Sequence, residues 1–242
     1  MKTLIIIPSR MSATRLPGKP LLKINGISII THVFKRAEKA NIGEVIVAAE
    51  DQEVIDEVIK NGGNAILTSK KNKTGTDRIF EAFTLSGEKN VHQVMNIQGD
   101  EPDFDINDIK LLDKQMKLHN SSIGTLAANI SDNEVYENKN IVKVKTKESL
   151  DKNLFPIAQN FMRTSIKTNN IYHHLGIYCY EVQTLKKFVS FDQSKNELKN
   201  RLEQLRALDN KMNINVALAR KSPIGVDTME DYIAIKKIMK YK

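Results

Sequence analysis

The sequence predicts an α/β fold, a mainly parallel sheet with helices on both faces, and three observations carry that prediction. Short apolar runs, of the kind that suits strands buried on both sides, recur through the first half of the chain. Between them lie segments whose apolar residues return at helical spacing, and turn or capping residues punctuate the two patterns. Alternation of this kind places each strand beside its predecessor through a right-handed crossover.

The elements follow in order. Residues 4–7 form a buried strand, Asn25-Gly26 marks a turn, and Ile29, Ile30, Val33, Phe34 and Ala37 predict a helix over 28–40. A second strand covers 45–49, after which Asp51 caps a helix with apolar positions Val54, Ile55, Val58 and Ile59, closed by Gly62-Gly63. A short strand over 65–67, a helix over 76–86 and a strand over 91–97 complete a Rossmann-like β-α-β-α-β half. It ends in Gln98-Gly99-Asp100-Glu101-Pro102. The second half is less regular. Strands are expected near 122–130 and 141–146, a polar irregular span near 147–170, and a strand over 171–180. Leucines 198, 202, 205 and 208 mark one helix face, 214–218 is a late strand, and a last helix starts at Thr228. One core domain over 1–242 is expected, with an excursion over roughly 122–190.

With 242 residues the chain can bury a substantial core. Its formal charge of +8 favours acidic ligands, but 37 basic and 29 acidic residues are spread along its whole length. Nucleic acid is not an expected partner: there is no Trp, no zinc-finger spacing and no basic low-complexity tail. Cys179 is the only cysteine, which excludes an intrachain disulfide and suits a buried small residue. The first apolar run is too short for a signal sequence and nothing later approaches a membrane span, so a soluble protein of the cytoplasm is expected.

The chemistry starts in the loop after the first strand. Arg10, Arg15 and Lys19 stand at the carboxyl end of a parallel strand, where open α/β sheets bind ligands. Arginine forks and a lysine point charge suit a polyphosphate, although neither a Walker loop nor G-x-G-x-x-G occurs, and a merely solvated basic loop has the same composition. Asp100 ends a buried strand on the same sheet edge, beside a Gly that permits close backbone approach, as a carboxylate for Mg²⁺ would. Asp227 is a second candidate. Its spacing to Glu230 fits a capping box, and a capping Asp can still turn its other oxygen to a metal. Thr74-Gly75-Thr76-Asp77-Arg78 opens a helix and suits a base or ribose contact; as an ordinary helix start, Thr74 would be its cap. His173 and His174 point to opposite faces of one strand, so only one can face a given pocket, and no metal-ligand spacing surrounds them. Ser194 and Glu197 fit another capping box. Arg163 by itself reads as solvated, and Asp103 and Asp105 as loop charges.

Taken together, Pro8-x-Arg10-x4-Arg15-Leu16-Pro17-Gly18-Lys19-Pro20-Leu21, Gly75-Thr76-Asp77-Arg78, Asn96-Ile97-Gln98-Gly99-Asp100-Glu101-Pro102, His174-Leu175-Gly176-Ile177-Tyr178, Leu202-Glu203-Gln204-Leu205-Arg206 and Gly225-Val226-Asp227-Thr228 closely resemble the 3-deoxy-manno-octulosonate (Kdo) cytidylyltransferases, or CMP-Kdo synthetases. The motifs fall in family order along nearly the whole chain. The resemblance implies a fold of the nucleotide-diphosphosugar transferase type, a homodimer whose contacts lie in the excursion, Mg²⁺ dependence, and transfer of CMP from CTP to Kdo for lipopolysaccharide biosynthesis. By position, Arg10, Arg15 and Lys19 would hold the triphosphate, and Thr74, Gly75 and Arg78 the nucleotide. Asp100 and Asp227 would bind magnesium, while Gln98, Arg163, His174 and Glu197 would line the sugar pocket. Lys19, Arg10 and Asp100 would be the catalytic group, neutralising charge while the anomeric 2-hydroxyl attacks the α-phosphorus in line with departing pyrophosphate.

The chain departs from the family pattern at Ala13, where relatives usually carry Ser, at Met162 before Arg163, and at Asn200, where relatives usually carry a second acid. Met162 and Asn200 are assigned to the sugar side, which raises 8-amino-Kdo or another 2-keto sugar acid as an alternative acceptor. A noncatalytic nucleotide-binding or nucleic-acid-binding protein would explain the charge but not the ordered acidic motifs.

Overall fold

The computed structural model describes residues 1–12 and 15–239, so Ala13 lies outside the described residues. The chain divides into two compact units, residues 1–106 with 223–242, and residues 107–222. Residues 122–190 fall inside the second unit, and no described helix is long and apolar enough to cross a membrane.

The first unit is the predicted parallel layer. Strands β1 (Lys2–Ser9), the short β2 (Lys23–Ile24) and β3 (Ile27–Ser28), helix α1 (Ile29–Glu38), β4 (Gly43–Ala49), α2 (Gln52–Lys60), β5 (Asn64–Leu67), α3 (Gly75–Ser86) and β6 (Val91–Asn96) follow in chain order. β1 pairs in parallel with both β4 and β6, and β4 pairs in parallel with β5. Leu4, Ile5, Ile6 and Ile7 are all fully buried, which is why β1 shows no alternation. The five predicted apolar positions of α1 are buried, and Ser28 caps that helix by accepting from the Thr31 amide. Asn25 and Gly26, at φ 52° and 80°, close the small β2–β3 hairpin, the left-handed geometry that an Asn-Gly pair adopts readily. In α2 the face is narrower than expected: Ile59 is exposed. Asp51 precedes α2 but does not cap it, because its carboxylate instead accepts from the Met11 amide at 2.7 Å.

The second unit holds α4 (Ile106–His119, which begins one residue inside the first unit), β7 (Ile123–Ala128), α5 (Glu134–Glu137), β8 (Lys143–Thr146), β9 (Ala158–Met162), β10 (Ile171–Glu181), α6 (Val182–Val189), α7 (Lys195–Asn200), α8 (Leu205–Asp209) and β11 (Asn215–Leu218). β11 runs parallel to β7, whereas β10 is antiparallel to β7 and β8, and β8 is antiparallel to β9. Cys179 is buried in β10, as expected for a small interior residue. α4, α5 and α6 have no counterpart among the elements expected from the sequence. α4 buries Ile109, Leu112 and Met116 at helical spacing, but buried Asp108, Asp113 and Gln115 blur its apolar face. β9 lies within the span expected to be irregular; only Ala158 and Phe161 of it are buried. The helix expected from Ser194 to Asn210 is two short helices. Arg201, at φ 53°, breaks it, and Leu198 is exposed.

Candidate active site

β1 and β6 are parallel neighbours, so the loops that follow them leave the same sheet edge. The loop after β1 is pinned from within. Gly18 donates its amide to the Met11 carbonyl at 3.1 Å, and a single 3-10 turn covers Lys19–Leu21 with Pro20 buried. Leu16 packs in a cluster with Ile24, Ile29, Val226, Ile235 and Met239. Leu16 and Pro20 are therefore anchors that fix Lys19 relative to the segment carrying Asp227.

The loop after β6 meets that segment through its backbone, the Val226 amide donating to the Asp100 carbonyl at 2.9 Å. Gly99 is required here: a Cβ on it would stand 2.7 Å from the Pro8 carbonyl oxygen at the end of β1. The result is a compact ionic group. Lys19 Nζ contacts Asp100 Oδ2 at 2.5 Å and Asp227 Oδ1 at 3.1 Å, while Arg15 holds Asp227 Oδ2 at 2.8 Å. Burial opposes the charge on Lys19, but Asp100 and Asp227 together outweigh it and raise the pKa above the usual lysine value. Arg10 is exposed beside this group in sequence.

Asp227 does not cap the final helix, contrary to the expectation from its spacing to Glu230. The final helix, Met229–Met239, is capped one residue later: Thr228 Oγ1 accepts from the Asp231 amide, and Asp231 Oδ2 accepts from the amides of Thr228 and Asp227. Both oxygens of Asp227 are thereby left to face Lys19 and Arg15.

Asp100 and Asp227 share one ammonium, which brings oxygens of the two carboxylates close together. Among the described residues no three Asp, Glu, His or Cys side chains form a metal cage. A pair of acids matches magnesium, which keeps several waters and takes further oxygens from substrate phosphates. Sequence reading gave no role to Glu101, whose carboxyl is buried with Oε2 lacking a hydrogen-bond partner. Burial, then Asp100 and Asp227, push it up to about 8, which favours its neutral form at pH 7 and limits the negative charge there.

At the start of α3, Thr74 and Asp77 form a capping box, so the helix-start reading of Thr74 holds. Arg78 is buried, its guanidinium donating to Thr68 Oγ1 at 2.7 Å and to Glu50. Gly75 has open space where a Cβ would be. Gln98 lies two residues beyond the end of β6, and its carbonyl accepts from the Glu101 amide at 3.4 Å. Asp103 is not a solvated loop charge but is buried beside Arg36.

In the second unit, His174 Nε2 lies 3.0 Å from Thr125 Oγ1, whose hydroxyl donates to the Ile177 carbonyl at 2.8 Å; its lone pair is left for the His174 N–H. His173 Nδ1 meets Ser222 Oγ at 2.8 Å. Burial lowers both histidines, His173 to about 4 with help from Lys143 and His174 to about 3 with help from His173, so both are neutral at pH 7. Glu197 forms the expected capping box with Ser194, and both its oxygens also accept from Arg206, at 2.9 and 2.6 Å. Burial pushes the Glu197 pKa up, but Arg206 and Gln193 outweigh it and hold the carboxyl below its ordinary value. Its oxygens are committed to the fold, an engagement that the spacing to Ser194 revealed only in part. Arg163 donates to the carbonyls of Asn200, Lys139 and Arg201 at 2.9, 3.1 and 2.9 Å. Asn200 turns its amide to the Asn196 carbonyl.

Comparison with known proteins gives the family. A cytidylyltransferase family model matches residues 4–214. A 3-deoxy-manno-octulosonate cytidylyltransferase from Thermodesulfovibrio yellowstonii is 41% identical, over 99% of this chain and 98% of the relative. One from Rhodopseudomonas palustris is 40% identical over 98% of both. The solved structure of a CMP:2-keto-3-deoxy-manno-octonic acid synthetase complexed with CTP superposes with a TM-score of 0.90 at 32% identity, covering 100% of this chain and 99% of that one. UDP-glucose pyrophosphorylase, at 13% identity and a TM-score of 0.70, shares the fold alone. On a family model that spans most of its length, near-complete coverage of relatives at about 40% identity and its motifs in their order, the chain belongs to the 3-deoxy-manno-octulosonate cytidylyltransferase family of nucleotidyltransferases.

Proposed function

We propose that the protein transfers CMP from CTP to the anomeric 2-hydroxyl of Kdo, releasing pyrophosphate, as a cytoplasmic step of lipopolysaccharide biosynthesis. The observation that carries the reading is the convergence of Lys19, Asp100 and Asp227 beyond the ends of β1 and β6. Arg10, Arg15 and Lys19 hold the triphosphate, and Lys19 moves its charge from the carboxylates toward the phosphates as the nucleotide enters. Asp100 and Asp227 would hold Mg²⁺, which when bound neutralises the phosphates and polarises the α-phosphorus. Glu101, whose neutral form is favoured at pH 7, adds little charge that would repel the nucleotide. Gln98, Arg163 and His174 are the proposed sugar contacts, with the Arg163 guanidinium facing the Kdo carboxylate and Glu197 acting through Arg206 to hold the helix end. The chain is further proposed to act as a homodimer with contacts in 122–190.

The first test is turnover of CTP with Mg²⁺ and either Kdo or 8-amino-Kdo, read as pyrophosphate release and a new CMP-sugar mass. Turnover with Kdo is expected; CTP binding without turnover of either sugar would sink the acceptor assignment.

Gly75 separates fold from ligand. It opens α3 without a left-handed backbone, so Gly75→Ala should leave the melting temperature unchanged or raise it, by up to about 1 kcal/mol of helix preference. The added methyl instead enters the nucleotide's space, and a KM for CTP about tenfold higher is expected. An unchanged KM for CTP would remove Gly75 from the nucleotide site.

A further inference from the structure

We infer that Lys143 is a positioning residue for the sugar acid, holding Arg163 in the orientation that meets the substrate carboxylate; this rests on the role proposed for Arg163. Lys143 lies on β8 with His173 of β10 as its register partner on one side and Met162 of β9 on the other. Its side chain is fully buried, at 0% exposure. The ammonium spends its donors on three main-chain carbonyls, of Asn138 at 2.7 Å, Ile141 at 2.8 Å and Arg163 at 2.6 Å. Burying an ammonium among neutral acceptors is costly, and a strand interior alone would be served by an apolar side chain. Burial, and then the charge of Arg163, lower its pKa.

The acceptors explain the cost. Arg163 takes the carbonyls of Lys139, Asn200 and Arg201, so the turn 138–141 is gripped by Lys143 at Asn138 and Ile141 and by Arg163 at Lys139. Lys143 also fixes the backbone of Arg163 itself. Three of the five guanidinium N–H groups are thus committed to carbonyls, and a planar fork held this way has its remaining N–H groups, one on each Nη, fixed in orientation. The two carbonyls of the α7–α8 break, Asn200 and Arg201, belong to the same frame.

The test measures KM for Kdo, KM for CTP, kcat and melting temperature for Lys143→Met, Arg163→Met and the double variant. Lys143→Gln, which keeps two N–H donors, stands in if Lys143→Met does not fold. Arg163→Met should raise the KM for Kdo at least about tenfold with the KM for CTP within about twofold. Lys143→Met or Lys143→Gln should do the same in the wild-type background and nothing further in the Arg163→Met background. A lower melting temperature with an unchanged KM for Kdo, or an effect that simply adds to that of Arg163→Met, would overturn the inference. An unchanged KM for Kdo in Arg163→Met would instead overturn the role of Arg163, and this inference with it.

Discussion

Replacement of Lys19 by Met should lower kcat by about 10²- to 10³-fold, the range found when a preorganised charge facing a developing anion is removed. Lys19 contacts both Asp100 and Asp227, and its raised pKa keeps it charged at neutral pH. It does two things in turn. Before nucleotide arrives it screens two carboxylates that would otherwise repel each other and the triphosphate; in the proposed reaction it would then face the departing pyrophosphate. Removing it leaves Asp227 paired with Arg15 and takes from Asp100 its Lys19 ion pair, so the nucleotide-free variant should bind Mg²⁺ more tightly than the parent, seen as a larger rise in melting temperature per millimolar Mg²⁺. Lys19→Arg should recover little, because a planar fork cannot occupy the point between two carboxylates that an ammonium fills. A kcat within tenfold of the parent would remove Lys19 from the chemistry, and an unchanged Mg²⁺ response would separate the lysine from the metal site.

The parallel layer was legible because its strands are buried on both faces and its helices present one clean apolar stripe, as in β1 and α1. The second unit was less so. α4 hides its stripe behind buried Asp108, whose carboxylate accepts from the Arg220 amide at 3.1 and 3.3 Å, a partner far away in sequence. The break at Arg201 was invisible for a related reason: leucine spacing favours one continuous helix, while the freed carbonyls are satisfied by Arg163, 37 and 38 residues away. At the site the order was reversed. Lys19, Asp100 and Asp227 stood out through loop chemistry, but their neighbours did not, because a short polar side chain next to a helix looks like a cap. Asp51 is one such residue; it serves the loop after β1 by binding the Met11 amide. Lys143 is a buried cation whose three carbonyl acceptors follow no spacing rule, so its role carries no signal in the sequence.

The one-residue shift of the last cap makes a second large effect separable from stability. Asp227→Asn keeps the shape of the side chain and removes the charge that Lys19 and Arg15 share. It should cost about 10²- to 10³-fold in kcat, and the Mg²⁺ concentration for half-maximal rate should rise. The melting temperature should fall little, because the carboxylate takes no part in capping Met229–Met239. Thr228→Val should do the opposite. It removes the oxygen that accepts from the Asp231 amide, a loss of about 1 kcal/mol, while the ionic group is left with all its members. Because Val226, Ile235 and Met239 share a core with Leu16, that loss should appear as a lower melting temperature with kcat within about threefold of the parent. If the helix were instead capped by Asp227, Asp227→Asn would lower the melting temperature as much as Thr228→Val does. Matching melts together with a nearly normal rate for Asp227→Asn would return this residue to a structural role and leave Asp100 as the only carboxylate proposed for the metal.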